Sequence, residues 1–405
     1  MKKEDNNIEI YKEKVSVRAP QNSDFEKQDE EINLYYAKIS IRYRIAKIFT
    51  VVFLCIFILS SLFIYGDKFT YENARYVLRD LGQILSEDSL VPSEKIIIDP
   101  DGDMDFGIYR KNIVIAGEST TKILSVTGKE KLIDNTKYTS PTVVSSDKYC
   151  IVYSLGAYNL SVYNTVARVY DMKFDTQIYD VAVSDNGYIA VMTDSREFRC
   201  VVYLYNSDFK LVSTYNKTRY PSSVELSSDG SVIYISSFGA ENGEYVTQLS
   251  AYEKRSEQPL YQFNYNQSQP LDLMLFSDQN TAMVLNDRIV FADKYGNKIN
   301  ENIFSSGISH CSFNNDILTV SDQNKQSNIK SFDSSGNVLL SIKQTGLVGA
   351  YSINSGILIR LKDTLVFHGE ESGKEIELST VPQKILYNDG YVFVCNSETI
   401  FSYKT

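Results

Sequence analysis

One corner recurs eight times along this chain: a short polar turn that runs straight into an apolar strand. The copies read YRKNIVIA (109–116), SDKYCIVY (146–153), SDNGYIAV (184–191), SDGSVIYI (228–235), SDQNTAMVL (277–285), NNDILTV (314–320), NSGILIRL (354–361) and NDGYVFVC (388–395). Gly, Asn and Asp at the corner supply the positive-φ positions that tight hairpins need. Partly apolar strands lead into several of them: PTVV, YDVAV, SSVEL, LDLMLF and KILY. A third strand follows the hairpin, as in VVYLYNSDFK and RIVFADKYGNK, and often a shorter fourth, as in LVSTYN and VLLSIKQ. The corners fall near residues 111, 148, 187, 230, 280, 316, 356 and 390, about 40 residues apart. A four-stranded unit at that period is the signature of a β-propeller blade.

The physics agrees with the pattern. A lone four-stranded meander has two edges and too little core, whereas radial stacking covers both faces of every sheet. Eight corners predict an all-β propeller of eight blades, with seven as the alternative because the YRKN copy is the least regular. The last copy ends at FSYKT with three strands, and EKIIIDP (94–100) stands ahead of the first copy as a strand without a blade. That strand is expected to supply the missing outer strand and close the ring. Unequal spacing is read as loop insertion, with FGAENGEYV (238–246) as the example. The composition fits strand: 30 Tyr and 20 Phe, with no Trp and only 2 His.

A different signal precedes the repeats. Ile48 to Tyr65 is an 18-residue run without charge. With Ile45, Ala46 and the flanks it is long enough to span a hydrocarbon core of roughly 30 Å. It begins too far from the N-terminus for a cleaved signal peptide, so an uncleaved anchor is expected over 45–65. Lys38, Arg42, Arg44 and Lys47 on its N-terminal side outnumber Lys68 and Arg75 beyond it. The positive-inside rule then places the N-terminus in the cytoplasm and the large domain outside the cytoplasmic membrane. Residues 1–44 read as a mostly disordered cytoplasmic tail, polar and of mixed charge. Residues 66–90 read as a juxtamembrane amphipathic helix and linker, with Ala74, Val77, Leu78, Leu81, Ile84 and Leu85 on one face. The propeller is assigned to 91–405. Of the 41 basic and 51 acidic groups, 10 and 9 lie in residues 1–65, which leaves the remainder at a net −11. Such a domain repels nucleic acid and anionic polymers.

The blades resemble those of WD-repeat, quinoprotein-like and BamB-like envelope propellers, without their signature motifs: there is no Trp and no kelch-type glycine pair. The arrangement of tail, anchor, short helix and exported propeller resembles an uncharacterised bacterial family of single-pass, membrane-anchored propellers. The resemblance is architectural and implies fold and placement, not activity.

Chemistry is sparse. Asp99, Asp101, Asp103 and Asp105 look like a calcium loop, the one weak metal candidate. Counted from Asp99, however, the sixth and twelfth positions hold Met104 and Arg110 where an EF-hand needs Gly and Glu. An acidic turn at a strand end is the simpler reading. His310 and Cys311 are adjacent, but neighbours in a strand point to opposite faces. No HExxH, GxSxG or Walker motif is present, so no catalytic and no cofactor-binding residue is assigned. Cys150, Cys200, Cys311 and Cys395 read as small buried thiols, with one disulfide open in an oxidising compartment. The tyrosines crowded between Tyr149 and Tyr205 fit inter-blade packing, or sugar or peptide stacking at the propeller mouth. The expected function is a non-catalytic binding or scaffolding module at the cell envelope, taking a protein, peptide or glycan on the propeller face. The alternative is a lyase or hydrolase acting on an envelope glycan or peptide in the central channel. The expected partners are the bilayer and that ligand, with no nucleic acid.

Overall fold

The polar corners do close hairpins. In the computed structural model, which describes residues 39–57, 60, 91–354, 356–369 and 373–405, eight sheets of four antiparallel strands follow one another along the chain. Seven take their strands in sequence order, from blade 1 (Asp105–Asn135) to blade 7 (Gly349–Glu377). Blade 8 is composite: Lys384–Asn388, Tyr391–Cys395 and Thr399–Lys404 are completed by Lys95–Ile97, which pairs antiparallel with the last strand. The expected clasp is therefore present, and the count is eight rather than seven. Ile96 and Ile98 are buried with Phe393 and Ile400 on one side and Met104, Phe106 and Ile113 on the other, so the clasp also carries core across the closing seam.

The first strand of each blade is the inner one. Inner strands lie side by side from blade 1 to blade 5 and from blade 6 to blade 7, and that of blade 8 comes back beside that of blade 1. Second strands are buried on both faces, as in Asn112–Ala116, Cys150–Ser154 and Ile189–Thr193. That is why they read as continuous apolar runs rather than alternating ones. The hydrophobic clusters straddle the blades: one joins Ala190, Met192 and Val202 of blade 3 to Val224, Ile233 and Ile235 of blade 4. Inner strands approach closely. A Cβ on Gly107 would sit 2.5 Å from Val143 of the next blade, so that position takes no larger residue without displacement.

The repeated Ser-Asp of the corners staples turn to turn. Asp185 accepts from the Asp147 N–H of blade 2 at 3.3 Å and from the Ser228 hydroxyl of blade 4. Asn186 donates to the Asp229 carbonyl at 3.0 Å, and the Ser277 N–H reaches Asp316 at 2.8 Å. The motif is thus a structural device repeated around one face of the ring.

FGAENGEYV is not a loop insertion. Val232–Glu241 and Glu244–Glu253 are ten-residue strands in register to the Glu241–Glu244 pair, around an Asn242-Gly243 turn with φ of 51° and 83°. Their inner neighbour, Tyr220–Leu226, stops pairing at Phe238, so the hairpin tip projects beyond it. The extra residues extend two strands.

The chain divides into two compact units, 1–78 and 79–405. In the first, residues 39–57 and 60 are helical and expose Phe49, Phe53 and Phe57. Among the described residues no helix is long and apolar enough to cross a membrane. Residues 58–59 and 61–65 of the expected anchor lie outside the described residues, as do 1–38 of the expected tail and the expected amphipathic helix at 66–90.

Candidate functional site

Counting ladder pairs from each hairpin turn, the fifth residue of every inner strand falls at one level around the ring. These residues are Asp105, Thr142, Asp180, Ser223, Asp272, His310, Gly349 and Lys384, in blade order. Three aspartates, the exposed His310 and a lysine thus share one level, each contributed by a different sheet. In blades 3 to 6 the ring residue directly follows a break in register, at Ile178/Asp180, Pro221/Ser223, Pro270/Asp272 and Ile308/His310. Bulges of this kind bend a strand and re-aim its side chains. In blades 7, 8, 1 and 2 the ladder runs unbroken through this level.

Each half handles its charge differently. Asp105 receives the Lys384 ammonium at 2.6 Å across the closing seam and the Val143 N–H of blade 2 at 2.8 Å. Asp180 receives the equivalent bond two blades on, from the Val224 N–H of blade 4 at 2.8 Å, but no cation. Burial pushes its carboxyl up to about 7 against the pull of the Val224 and Val181 amides, and the Asp272 charge adds to the rise. Asp272 is also raised by burial, although it accepts from its own Leu273 N–H at 2.8 Å. Glu225 sits two residues beyond Ser223 on the same strand face. Burial raises its carboxyl well above the usual range, with Asp180 and Asp272 as further causes. Blade 4 adds buried Ser223 and Ser236, ladder partners whose hydroxyls have no hydrogen-bond partner among the described residues. The result is a cation-poor, low-dielectric arc in which burial raises three carboxyls, that of Asp180 to about 7.

The four aspartates of the expected calcium loop are not brought together. Asp99 faces Lys122 at 3.2 Å. Asp101 accepts from the Ser119 and Thr120 amides and the Thr120 hydroxyl. Asp103 is exposed, and Asp105 belongs to the ring. Among the described residues no group of three or more His, Cys, Asp or Glu is placed to hold a metal ion. His310 and Cys311 share no hydrogen bond. Burial pushes the Cys311 thiol up to about 12 and lowers the imidazole. All five cysteines are free thiols, and burial raises Cys150, Cys200 and Cys395 as well. Of the crowded tyrosines, Tyr153 and Tyr163 are buried between blades, and Tyr170 stacks on Phe209 at 4.4 Å.

Of the ring residues, only Asp105 and His310 stand out in the sequence, as part of the acidic turn and as a neighbour of Cys311. A signal was present: MDFGIY, YDVAV and LDLMLF each place one carboxylate inside an otherwise apolar lead-in strand, at a constant distance from its corner.

The fold and ring define an eight-bladed β-propeller with a charged inner level. Residues 95–386 match the model of a family described as "Family of unknown function (DUF5711)", and the chain belongs to that family. Among curated proteins none matches. Among solved structures the chain is similar to BamB from Moraxella catarrhalis, with 11% identity over 78% of this chain and 100% of that one and a TM-score of 0.56. It is similar to Sqt1 from Saccharomyces cerevisiae, with 10% identity over 78% and 100% and a TM-score of 0.55. The computationally designed Ika8 protein gives 11% identity over 78% and 98%, with a TM-score of 0.55. At such identities the likeness is one of fold.

Proposed function

We propose that this chain is a non-catalytic binding module whose propeller is held outside the cytoplasmic membrane by one helix. The observation that carries the reading is the blade 4 hairpin. A closed ring gives a rigid frame, and from it two strands project past their inner neighbour, with Tyr245 and Tyr220 exposed and Tyr220 packed on Phe238 and under the Arg199 guanidinium. Tyr245 stands on the projection itself and the Tyr220–Arg199 pair at its base, and tyrosine and arginine are residues from which protein interfaces draw much of their energy. Support for the anchor is the uncharged run itself and the exposed apolar side chains of its helical part, Ile48 to Phe57, a surface that needs an apolar partner. A photo-crosslinking residue at Tyr245, in cells making the full chain, is expected to give a discrete adduct. Only a smear, or no adduct beyond that of an exposed control site such as Tyr295, overturns the reading. Protease added to whole cells is expected to digest the propeller and spare the N-terminal tail.

One observation favours a second reading, an enzyme working in the channel on an envelope glycan or peptide. A carboxyl titrating near 7 suits a general acid, and Asp180 has Glu225 and Asp272 as neighbouring carboxylates. Under this reading D180N abolishes turnover of such a substrate by purified protein. Unchanged turnover in D180N removes it.

A further inference from the structure

A cleft of about 760 Å³ opens between blades 2 and 3, within the roughly 300–1,000 Å³ range of small-ligand sites. We propose that this cleft binds a short neutral oligosaccharide. The proposal rests on the binding-module reading and names a ligand class for it.

The cleft is built from three elements. Its floor is one face of blade 3, where Val201 pairs with Asn216 and Tyr203 with Thr214 across two neighbouring strands. One wall is the crossover from blade 2 to blade 3, with Phe174 set against Tyr203 at 5.8 Å. The roof is the turn from Asp194 to Phe198. An apolar ligand finds little here, because the charged and amide groups dominate. A polyanion meets three carboxylates, on Asp175, Asp194 and Glu197, against two cations, on a domain that is already acidic. A sugar chain fits both facts. Each hydroxyl donates and accepts at once, so it needs acceptors and donors interleaved at short spacing. Carboxylates supply the first, and Arg196 and the Asn216 amide the second. These groups are unspent: among the described residues, Asp175, Asp194, Arg196, Glu197 and Asn216 have no ion pair and no side-chain hydrogen bond. The flat strand floor, with an aromatic corner for the C–H face of a ring, suits a linear chain rather than a compact molecule.

The test uses the full chain in a detergent without a sugar headgroup. Titration calorimetry follows N-acetylglucosamine tetramer, maltotetraose and, as the competing class, tetra-alanine. Saturable binding of at least one oligosaccharide is expected, with E197Q and N216A each weakening it about 5- to 20-fold. N216W, an exposed substitution that fills the floor, is expected to abolish binding while the melting temperature holds. Binding that survives N216W overturns the site. No oligosaccharide binding, or saturable binding of tetra-alanine alone, overturns the ligand class. A discrete adduct at Tyr245 in either case leaves the binding-module reading standing, so the two failures are told apart.

Discussion

The two halves of the inner ring meet the same problem in opposite ways. Both place an aspartate at the fifth ladder position, and in both the carboxylate caps an inner-strand N–H of the following blade at 2.8 Å. In the half formed by blades 7, 8, 1 and 2, the ladder is regular and Lys384 neutralises Asp105. In the half formed by blades 3 to 6, each ladder is broken at the ring and no cation reaches Asp180. The regular half contains the seam that holds the ring shut, and it is built for stability. The bulged half keeps carboxyl groups in a costly environment. Natural chains accept such local cost mainly where a site needs it.

The largest effect should come from the seam. I96D puts a charge into the cluster shared by blades 8 and 1, and is expected to cost about 3–5 kcal/mol in urea unfolding. A cost below about 1 kcal/mol would mean that the clasp does not hold the ring. Next comes D180N, with the opposite sign. The folded protein binds a proton at Asp180 up to about pH 7, while the unfolded chain releases it near 4. Stability therefore falls as pH rises from 4 to 7. Asparagine keeps the acceptor for Val224 and removes the charge, so D180N should stabilise by about 1–3 kcal/mol at pH 8 and flatten the slope. A destabilised D180N at pH 8 would make the two halves alike. K384M should be smaller, a loss of about 1–2 kcal/mol at pH 7, because the ammonium is 39% exposed and solvent screens the pair. Equal signs for D180N and K384M would break the comparison outright.

What the sequence made legible follows the same division. Blades, clasp and corner turns were readable because they rest on local rules: strand alternation, turn residues and an orphan strand waiting for a partner. Unequal spacing alone does not tell a loop insertion from a lengthened hairpin, and in FGAENGEYV it is the Asn242-Gly243 pair that carries the hairpin signal. The ring was not readable, since the level at which Asp180 meets Asp272 depends on register across separate sheets. A carboxylate in YDVAV announces only that something must satisfy it. Whether that is Lys384, more than two hundred residues away for Asp105, or burial and a proton, is decided by the closed ring.

Asp101 supplies the last and smallest contrast, a carboxylate outside the ring that is satisfied without a cation. Burial alone would raise its carboxyl, but hydrogen bonds from the Thr120 and Ser119 side chains and amides outweigh burial and hold it below the usual range. The sign is then the reverse of Asp180. The unfolded chain takes up a proton near pH 4 before the folded one does, so this stabilisation is complete above pH 4 and lost as pH falls through the lower folded value. D101N keeps one acceptor oxygen and loses the charge, which predicts a deficit of about 0.5–1 kcal/mol at pH 7 that shrinks as the pH falls below about 4. Melting curves of wild type and D101N across that range check it. Curves for D101N that diverge further in acid would mean that the strand end before blade 1 depends on more than these hydrogen bonds. Set beside D180N, whose gain grows with pH, the pair separates a carboxylate held ionised by local donors from one held protonated by the bulged arc.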